Sequence, residues 1–148
     1  MTLYSIGYGV TRTIPSFIEQ LKKRRIKTLI DCRTNPFSRY NPAFSRSSLE
    51  KALRTADVTY IHNQGLGGKQ DFGKAYWKAL EGLIEAFGAG KSNVTLMCSE
   101  LDPRSCHRYN RIGEDLRQKG IPITHIDKDN TDWKHPATVT TKPKKLLF

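Results

Sequence analysis

The chain has 148 residues, of which 37% are hydrophobic and 26% charged, a composition typical of one folded globular domain rather than a disordered segment. Its apolar runs are only a handful of residues long, far short of the roughly 20 that cross a bilayer, so we expect no membrane span. The N-terminus carries no signal-peptide pattern. Three cysteines without a disulfide-framework spacing suit a reducing compartment, and we expect a cytoplasmic protein.

The net charge is strongly positive, because 25 Lys and Arg stand against 14 Asp and Glu, which gives +11. The residues from Asp127 onward contain five lysines and three aspartates, so they hold +2 and the preceding residues hold +9. A basic folded body attracts polyanions, and we expect nucleic acid or a phosphorylated small molecule as the partner. A basic surface that only keeps the protein soluble is the alternative.

Strand and helix patterns alternate along the chain. In chain order they predict a strand at Leu3–Ile6, a helix capped by Thr13 with Pro15 in its first turn, a strand at Thr28–Cys32, a helix opened by the capping box Ser47–Glu50, a strand at Val58–Ile61, a helix over Tyr76–Phe87, a strand at Val94–Cys98, a helix over Cys106–Lys119 and a short strand at Ile121–Ile126. This alternation predicts a single three-layer α/β domain over residues 1–127, with a mainly parallel sheet of about five strands and helices on both faces. Residues 128–148 are predicted to form a basic, loosely ordered tail.

In such folds, ligands bind at the carboxyl ends of the strands. Most of the chemically capable residues of this chain follow a predicted strand end, so we expect the functional site at that edge of the sheet. The richest segment runs from Cys98 to Arg108. In it, Glu100 is a candidate carboxylate for activating water, and the Cys106 thiol, between His107 and a helix start, is a candidate nucleophile or redox centre. Cys98 can equally be a core residue.

Two other interpretations of this segment are disfavoured. The spacing from Cys98 to Arg104 matches the phosphate loop of cysteine-dependent phosphatases, but Glu100 and Asp102 repel phosphate and Pro103 removes a backbone donor. A metal site is not expected either, because adjacent Cys106 and His107 are a poor chelating pair and no second closely spaced pair appears. We expect no cofactor.

The other half of the predicted site follows the second strand. Arg33 and Arg39 can clamp an anion through forked hydrogen bonds, with Arg108 as a third candidate. Asp31 can act as a general base or can orient an arginine, and a surface loop pinned by an Asp–Arg pair is the plain alternative. Further candidates for ligand contact are the aromatic side chains of Tyr8 and Tyr40, which can stack on a base, and His62 after the third strand.

Four blocks of the chain together resemble the domain-of-unknown-function family 488. They are Ser5–Gly9, the segment from Leu29 to Phe44 with its Asp31-Cys32-Arg33 core, Tyr60–His62 with Leu66–Gly68, and Cys98–Arg108. The resemblance covers about residues 3–127 and implies a compact α/β domain with a single pocket. It implies that Asp31, Arg33, Arg39, His62, Glu100, Cys106, His107 and Arg108 gather around that pocket, and it supplies no reaction.

The final residues Leu146, Leu147 and Phe148 follow Lys144 and Lys145, a pattern similar to the short peptides by which DNA-processing proteins dock on the sliding clamp. The usual glutamine is absent, and packing of these residues on the domain is the alternative.

Three functions remain open from the sequence. The leading hypothesis is an enzyme that acts on nucleic acid or a nucleotide, a hydrolase that removes or modifies a base and so a candidate for DNA repair. The second is a binding module for nucleic acid or a phosphorylated ligand, without chemistry. The third is a thiol-dependent phosphatase or transferase that uses Cys106 or Cys98.

Overall fold

A computed structural model describes residues 2–68, 73–90 and 92–136 of the chain. Its strands are β1 (Leu3–Gly7), β2 (Ile26–Asp31), β3 (Thr59–His62), β4 (Asn93–Cys98), β5 (Thr124–Ile126) and β6 (Asp132–Lys134). They form one sheet in the order β3-β2-β4-β1-β5-β6. β1 to β5 pair in parallel, and β6 pairs antiparallel with β5. The α/β class and the mainly parallel sheet are confirmed.

Helices cover both faces of this sheet. They are α1 (Ile14–Lys23), α2 (Arg46–Thr55), α3 (Lys74–Ala89) and α4 (Glu114–Gln118), the last preceded by a π-helical turn at Arg108–Gly113. Short 3₁₀ turns lie at Pro42–Phe44, Gln64–Leu66 and Pro103–Ser105. Across the described ranges, no helix combines the length and the hydropathy of a bilayer span.

The helix starts test the capping predictions. Thr13 caps α1, as predicted, and its Oγ1 accepts a hydrogen bond from the backbone N–H of Ser16 at 3.3 Å. The capping box at residues 47–50 is wrong, because α2 already begins at Arg46 and Ser45 precedes it without a side-chain cap. The Ser45 hydroxyl accepts instead from the backbone N–H of Ser38 at 3.0 Å. It therefore ties the loop after β2 to the start of α2.

Two apolar layers hold the sheet between the helices. One cluster joins strand residues such as Ile6 and Met97 to Leu21 of α1 and Leu53 of α2. The other joins strand residues to α3 and α4, with Leu96 among its members. Each fully buried side chain of this size contributes about 1.5–3 kcal/mol. Because both faces of the sheet are covered, the central strands β1, β2 and β4 are largely buried.

β6 and the residues after it lie in the segment that the sequence predicted to be loosely ordered. A buried chain of polar side chains connects this segment to the centre of the sheet. The Ser5 hydroxyl is 2.6 Å from Nδ1 of His125, Nε2 of His125 is 2.9 Å from Nδ1 of His135, and Nε2 of His135 is 2.5 Å from Glu114. These contacts join residues 120, 10 and 21 positions apart, so no pattern within one helix or strand predicts them. Residues 137–148, including the predicted docking residues Leu146, Leu147 and Phe148, lie outside the described residues.

We predict that this histidine chain makes folding stability sensitive to acid. Burial, together with the charges of His135 and Arg108, lowers the pKa of His125 to about 3, whereas an unfolded imidazole titrates at about 6.5. Between these values the unfolded state binds the extra proton. The contribution of His125 is therefore complete above about pH 6.5 and falls by about 1.4 kcal/mol per pH unit as the pH drops toward 3.

Urea denaturation at about pH 7 and about pH 5 measures this effect. The wild type should lose about 2 kcal/mol more than the His125→Gln variant between these two conditions. Equal losses in the two proteins would contradict the assignment of the acid sensitivity to His125.

Candidate functional site

The carboxyl end of β2 carries a buried ion pair. Asp31 is fully buried, and Arg33 is 6% exposed. Nε of Arg33 donates to Oδ1 of Asp31 at 2.8 Å, and Nη2 donates to Oδ2 at 2.7 Å. Oδ2 also accepts from the Tyr60 hydroxyl at 2.5 Å, and Oδ1 from the backbone N–H of Arg33 at 3.1 Å. With both oxygens engaged, the Asp31 carboxylate holds Arg33 in place and is not exposed to a substrate.

The other hydrogen bonds of the Arg33 side chain go to Tyr8 and Phe44. Nη1 donates to the Tyr8 hydroxyl at 2.8 Å and to the carbonyl of Phe44 at 2.7 Å, and the Tyr8 ring stacks on Phe44 at 4.5 Å. Burial alone would lower the pKa of Arg33, but the hydrogen bonds and the charge of Asp31 raise it. Four of the five guanidinium N–H groups are thus used inside the protein. The forked anion clamp predicted for Arg33 is directed at Asp31.

A cleft of about 380 Å³ opens at this edge of the sheet. Its first wall is the loop after β2, with Arg33, Thr34, Asn35 and Phe37; its second wall follows β4, with Cys98, Ser99, Glu100, Ser105, Cys106 and His107; and Tyr8 and Gly68 also line it. A hollow of about 440 Å³ lies elsewhere, beside Arg24 and Asp132. Those two side chains form an ion pair at 2.6 Å, so their charges are already engaged with each other.

The second wall contains two cysteines and a histidine in contact. The structure pairs Cys98 with Cys106 through their sulfur atoms, although the sequence predicted no disulfide framework. Nδ1 of His107 lies 3.5 Å from Sγ of Cys106. Nε2 of His107 lies 2.9 Å from the carbonyl oxygen of Leu66 and 3.2 Å from that of Cys32. Carbonyl oxygens only accept, so Nε2 carries the proton and the Nδ1 lone pair faces the sulfur.

His107 is kept neutral and in position by its surroundings. The pKa of His107 is lowered, because the effect of burial exceeds the opposite effect of the two carbonyl hydrogen bonds. A Cβ atom at Gly68 would lie 2.8 Å from Nδ1 of His107, and one at Gly67 would overlap Thr34. The glycines of this loop therefore permit a close approach between the imidazole and the first wall, which only residues without a side chain allow.

Glu100 and Arg108 lie on opposite sides of the loop after β4. The Glu100 side chain is exposed and lines the cleft. Arg108 is fully buried, does not line the cleft, and donates through Nη2 to the carbonyl oxygens of Glu100 at 3.2 Å and Leu101 at 3.0 Å. Its Nε and Nη1 have no hydrogen-bond partner in the described part of the chain. Burial lowers the pKa of Arg108 to about 10, so the group remains a cation at neutral pH.

The predicted residues therefore do not all converge. Glu100, Cys106 and His107 meet in the cleft, and Arg33 and Tyr8 contribute to its lining. Arg39 and Tyr40 are exposed outside the lining, and Nε2 of His62 is 2.8 Å from the carbonyl oxygen of Arg33.

Sequence reasoning missed Asn35, Phe37 and Ser99, which also line the cleft. Phe37, with 62% of its surface exposed, is apolar, in a loop and close to two prolines. Those features were the available signal.

Sequence comparison assigns about half of the chain to a known family. The model of the family described as domain of unknown function DUF488 matches residues 13–87, and the chain belongs to this family. That match spans α1 to most of α3, including the first wall and the Gly67–Gly68 loop. The Cys98–Arg108 wall lies beyond it. No curated protein and no solved structure matches the chain.

We predict that Asp31→Asn destabilises the protein by about 3–5 kcal/mol, because it leaves the Arg33 guanidinium buried without its counter-charge. Glu50→Gln is the matched control, since Glu50 pairs with Arg46 on the surface of α2 at 3.8 Å and such pairs contribute about 0–1 kcal/mol. Urea unfolding at neutral pH measures both changes. Similar small losses in the two variants would show that the buried pair does not organise this edge.

Proposed function

We propose that the protein is a hydrolase that acts on a nucleic-acid base or a nucleotide bound in the cleft, with Glu100 as the general base. The observation that carries this proposal is that Glu100 lines the cleft, is exposed, and forms no ion pair with a cationic side chain among the described residues. A carboxylate in this setting can take a proton from a water molecule that attacks the substrate. Asp31, the other carboxylate considered from the sequence, is engaged by Arg33 and Tyr60.

The net charge of the chain and the volume of the cleft support the substrate class. A net charge of +11 favours a polyanionic partner. The cleft volume of about 380 Å³ falls within the range of sites for small molecules, about 300–1,000 Å³. Phe37 offers an exposed ring for stacking against a base, and Asn35 offers both a donor and an acceptor for a base edge. A nucleotide turned out of a duplex would present the face of its base to Phe37 and the edge of its base to Asn35.

Within this proposal the buried groups have positioning roles. Arg33, held by Asp31, fixes the first wall against Tyr8. Arg108 holds the backbone carbonyl of Glu100 and adds a positive charge beneath the loop, which favours negative charge in the cleft. Neither residue needs to leave its hydrogen bonds for the reaction.

The thiol-dependent alternative has less support. In the paired state of Cys98 and Cys106 neither sulfur is a free thiolate, and the thiolate is the nucleophilic form. A binding module without chemistry would use the same cleft. Only a measurement of substrate turnover distinguishes it from a hydrolase.

We predict that Glu100→Gln lowers kcat by about 10²–10⁴-fold on the responsive substrate while leaving its Kd nearly unchanged, because the amide cannot accept the proton from water. The substrates are nucleotides and oligonucleotides that carry deaminated, alkylated or oxidised bases, and released bases and nucleosides are separated by chromatography. Asp102→Asn is the matched control. Asp102 is also exposed, lies outside the cleft and accepts from the backbone N–H of Arg104 at 3.0 Å, which an amide oxygen can also do.

Turnover that is lost in Glu100→Gln and kept in Asp102→Asn supports the hydrolase. Turnover that survives in Glu100→Gln contradicts the role of this carboxylate. If the wild type binds the nucleic acid but turns over no substrate, the result contradicts the hydrolase and supports the binding module.

A further inference from the structure

We propose that Cys98, Cys106 and His107 bind one zinc ion in the reduced protein. Among the described residues, they form the group of three side chains whose ligand atoms all lie within 4.8 Å of one another. Two thiolates and an imidazole are ligands that zinc prefers. The proposal concerns the same cleft as the proposed hydrolase, but metal binding does not require that the substrate class be right.

One of the ligand separations already fits tetrahedral zinc, whereas the paired sulfur atoms of Cys98 and Cys106 must separate on reduction to bind the ion. With bond lengths of about 2.3 Å to sulfur and about 2.1 Å to nitrogen, the sulfur and nitrogen ligands of one zinc ion lie about 3.6 Å apart. The distance from Sγ of Cys106 to Nδ1 of His107 is 3.5 Å. These two atoms thus already have the separation of a shared metal, although the residues are adjacent in the sequence.

The hydrogen bonds of His107 prepare it to be a ligand. In metal sites, the ring nitrogen that does not bind the metal almost always donates to a carbonyl or a carboxylate. In His107, Nε2 donates to the carbonyl oxygens of Leu66 and Cys32. This arrangement leaves the Nδ1 lone pair directed at the sulfur of Cys106, and Gly68 packs against the same side of the ring.

The backbone spacing of the cysteines also favours a metal over a permanent disulfide. The Cα atoms of Cys98 and Cys106 are 7.6 Å apart, whereas disulfides usually span about 4.4–6.8 Å. Two thiolates on one zinc ion lie about 3.8 Å apart, wider than any S–S bond. The two cysteines are eight residues apart in the sequence. Most structural zinc sites have paired ligands about two to four residues apart, and this spacing does not occur among these three ligands.

The site has the composition of a catalytic zinc centre. Three protein ligands leave a fourth position for water, and here all three ligands line the cleft. Zinc lowers the pKa of a bound water to about 7. Glu100 belongs to the same wall and lies outside the set of three ligands, so it would remain available as the proton acceptor of the proposed hydrolase.

Metal content tests the site directly. The full-length chain is purified with a reductant, treated with a chelator, dialysed and titrated with zinc chloride, and bound metal is measured by mass spectrometry. Cobalt chloride provides a second probe, because thiolate ligands produce a charge-transfer absorption. We expect one zinc ion per chain and a cobalt–thiolate band.

The variants Cys98→Ser, Cys106→Ser and His107→Gln should each weaken zinc binding by at least about 10-fold. Loss of a group that only orients a metal ligand already costs about 10–100-fold in affinity. Cys32→Ser is the matched control, since Cys32 is buried but its sulfur is outside the ligand set. If a serine variant does not fold, alkylation of the wild type substitutes for it, and zinc should protect Cys98 and Cys106 from the reagent.

The proposal is overturned if the reduced wild type binds no zinc, or if the ligand variants bind it as tightly as Cys32→Ser does. Glu100→Gln separates this result from the failure of the hydrolase, because it should keep the zinc ion. A wild type that binds one zinc ion and turns over no nucleotide would refute the proposed function and leave the metal site intact.

Discussion

The buried ion pair between Asp31 and Arg33 is the interaction on which the carboxyl edge of the sheet depends. It joins the end of β2 to Tyr60 on β3, to Tyr8 after β1 and to the carbonyl of Phe44 before α2. Removing two charges from water is costly, and such a pair often adds little net stability, but loss of one partner leaves an uncompensated buried charge. The pair therefore determines one arrangement of the loops more than it determines how stable the fold is.

The second wall is organised by close backbone approach. A Cβ atom on Gly7 would overlap the carbonyl of Glu100, so the absence of a side chain lets the loop after β4 cross the end of β1. Arg108 then holds two carbonyls of this loop from the buried side, and His107 lies within hydrogen-bond distance of the carbonyls of Leu66 and Cys32. The second wall is thus connected to the end of β2 and to the turn after β3 by hydrogen bonds to backbone atoms. This connection is what places an exposed carboxylate and a cysteine–histidine cluster in one cleft.

The sequence predicts the parts of this molecule that local periodicity or a general rule for parallel sheets controls. The five parallel strands follow from their apolar runs, the Thr13 cap follows from its residue type, and the rule that ligands bind at strand carboxyl ends identifies Glu100 and His107 as neighbours. Contacts between distant residues are not encoded locally. Residue types alone therefore left open whether Asp31 is a general base or the partner of an arginine, and they did not indicate that Arg39 lies outside the cleft or that His125 and His135 connect β6 to the sheet.

Whether the carboxyl edge of the sheet is the functional site is tested most directly by a ¹H–¹⁵N NMR titration of the full chain with a short single-stranded DNA and with nucleoside monophosphates. Amide shifts should concentrate in the two walls, at residues 33–37 and 98–107, with little change on the exposed face of α2. Shifts confined to α2 or to residues 137–148, or no shifts with any of these ligands, would contradict it.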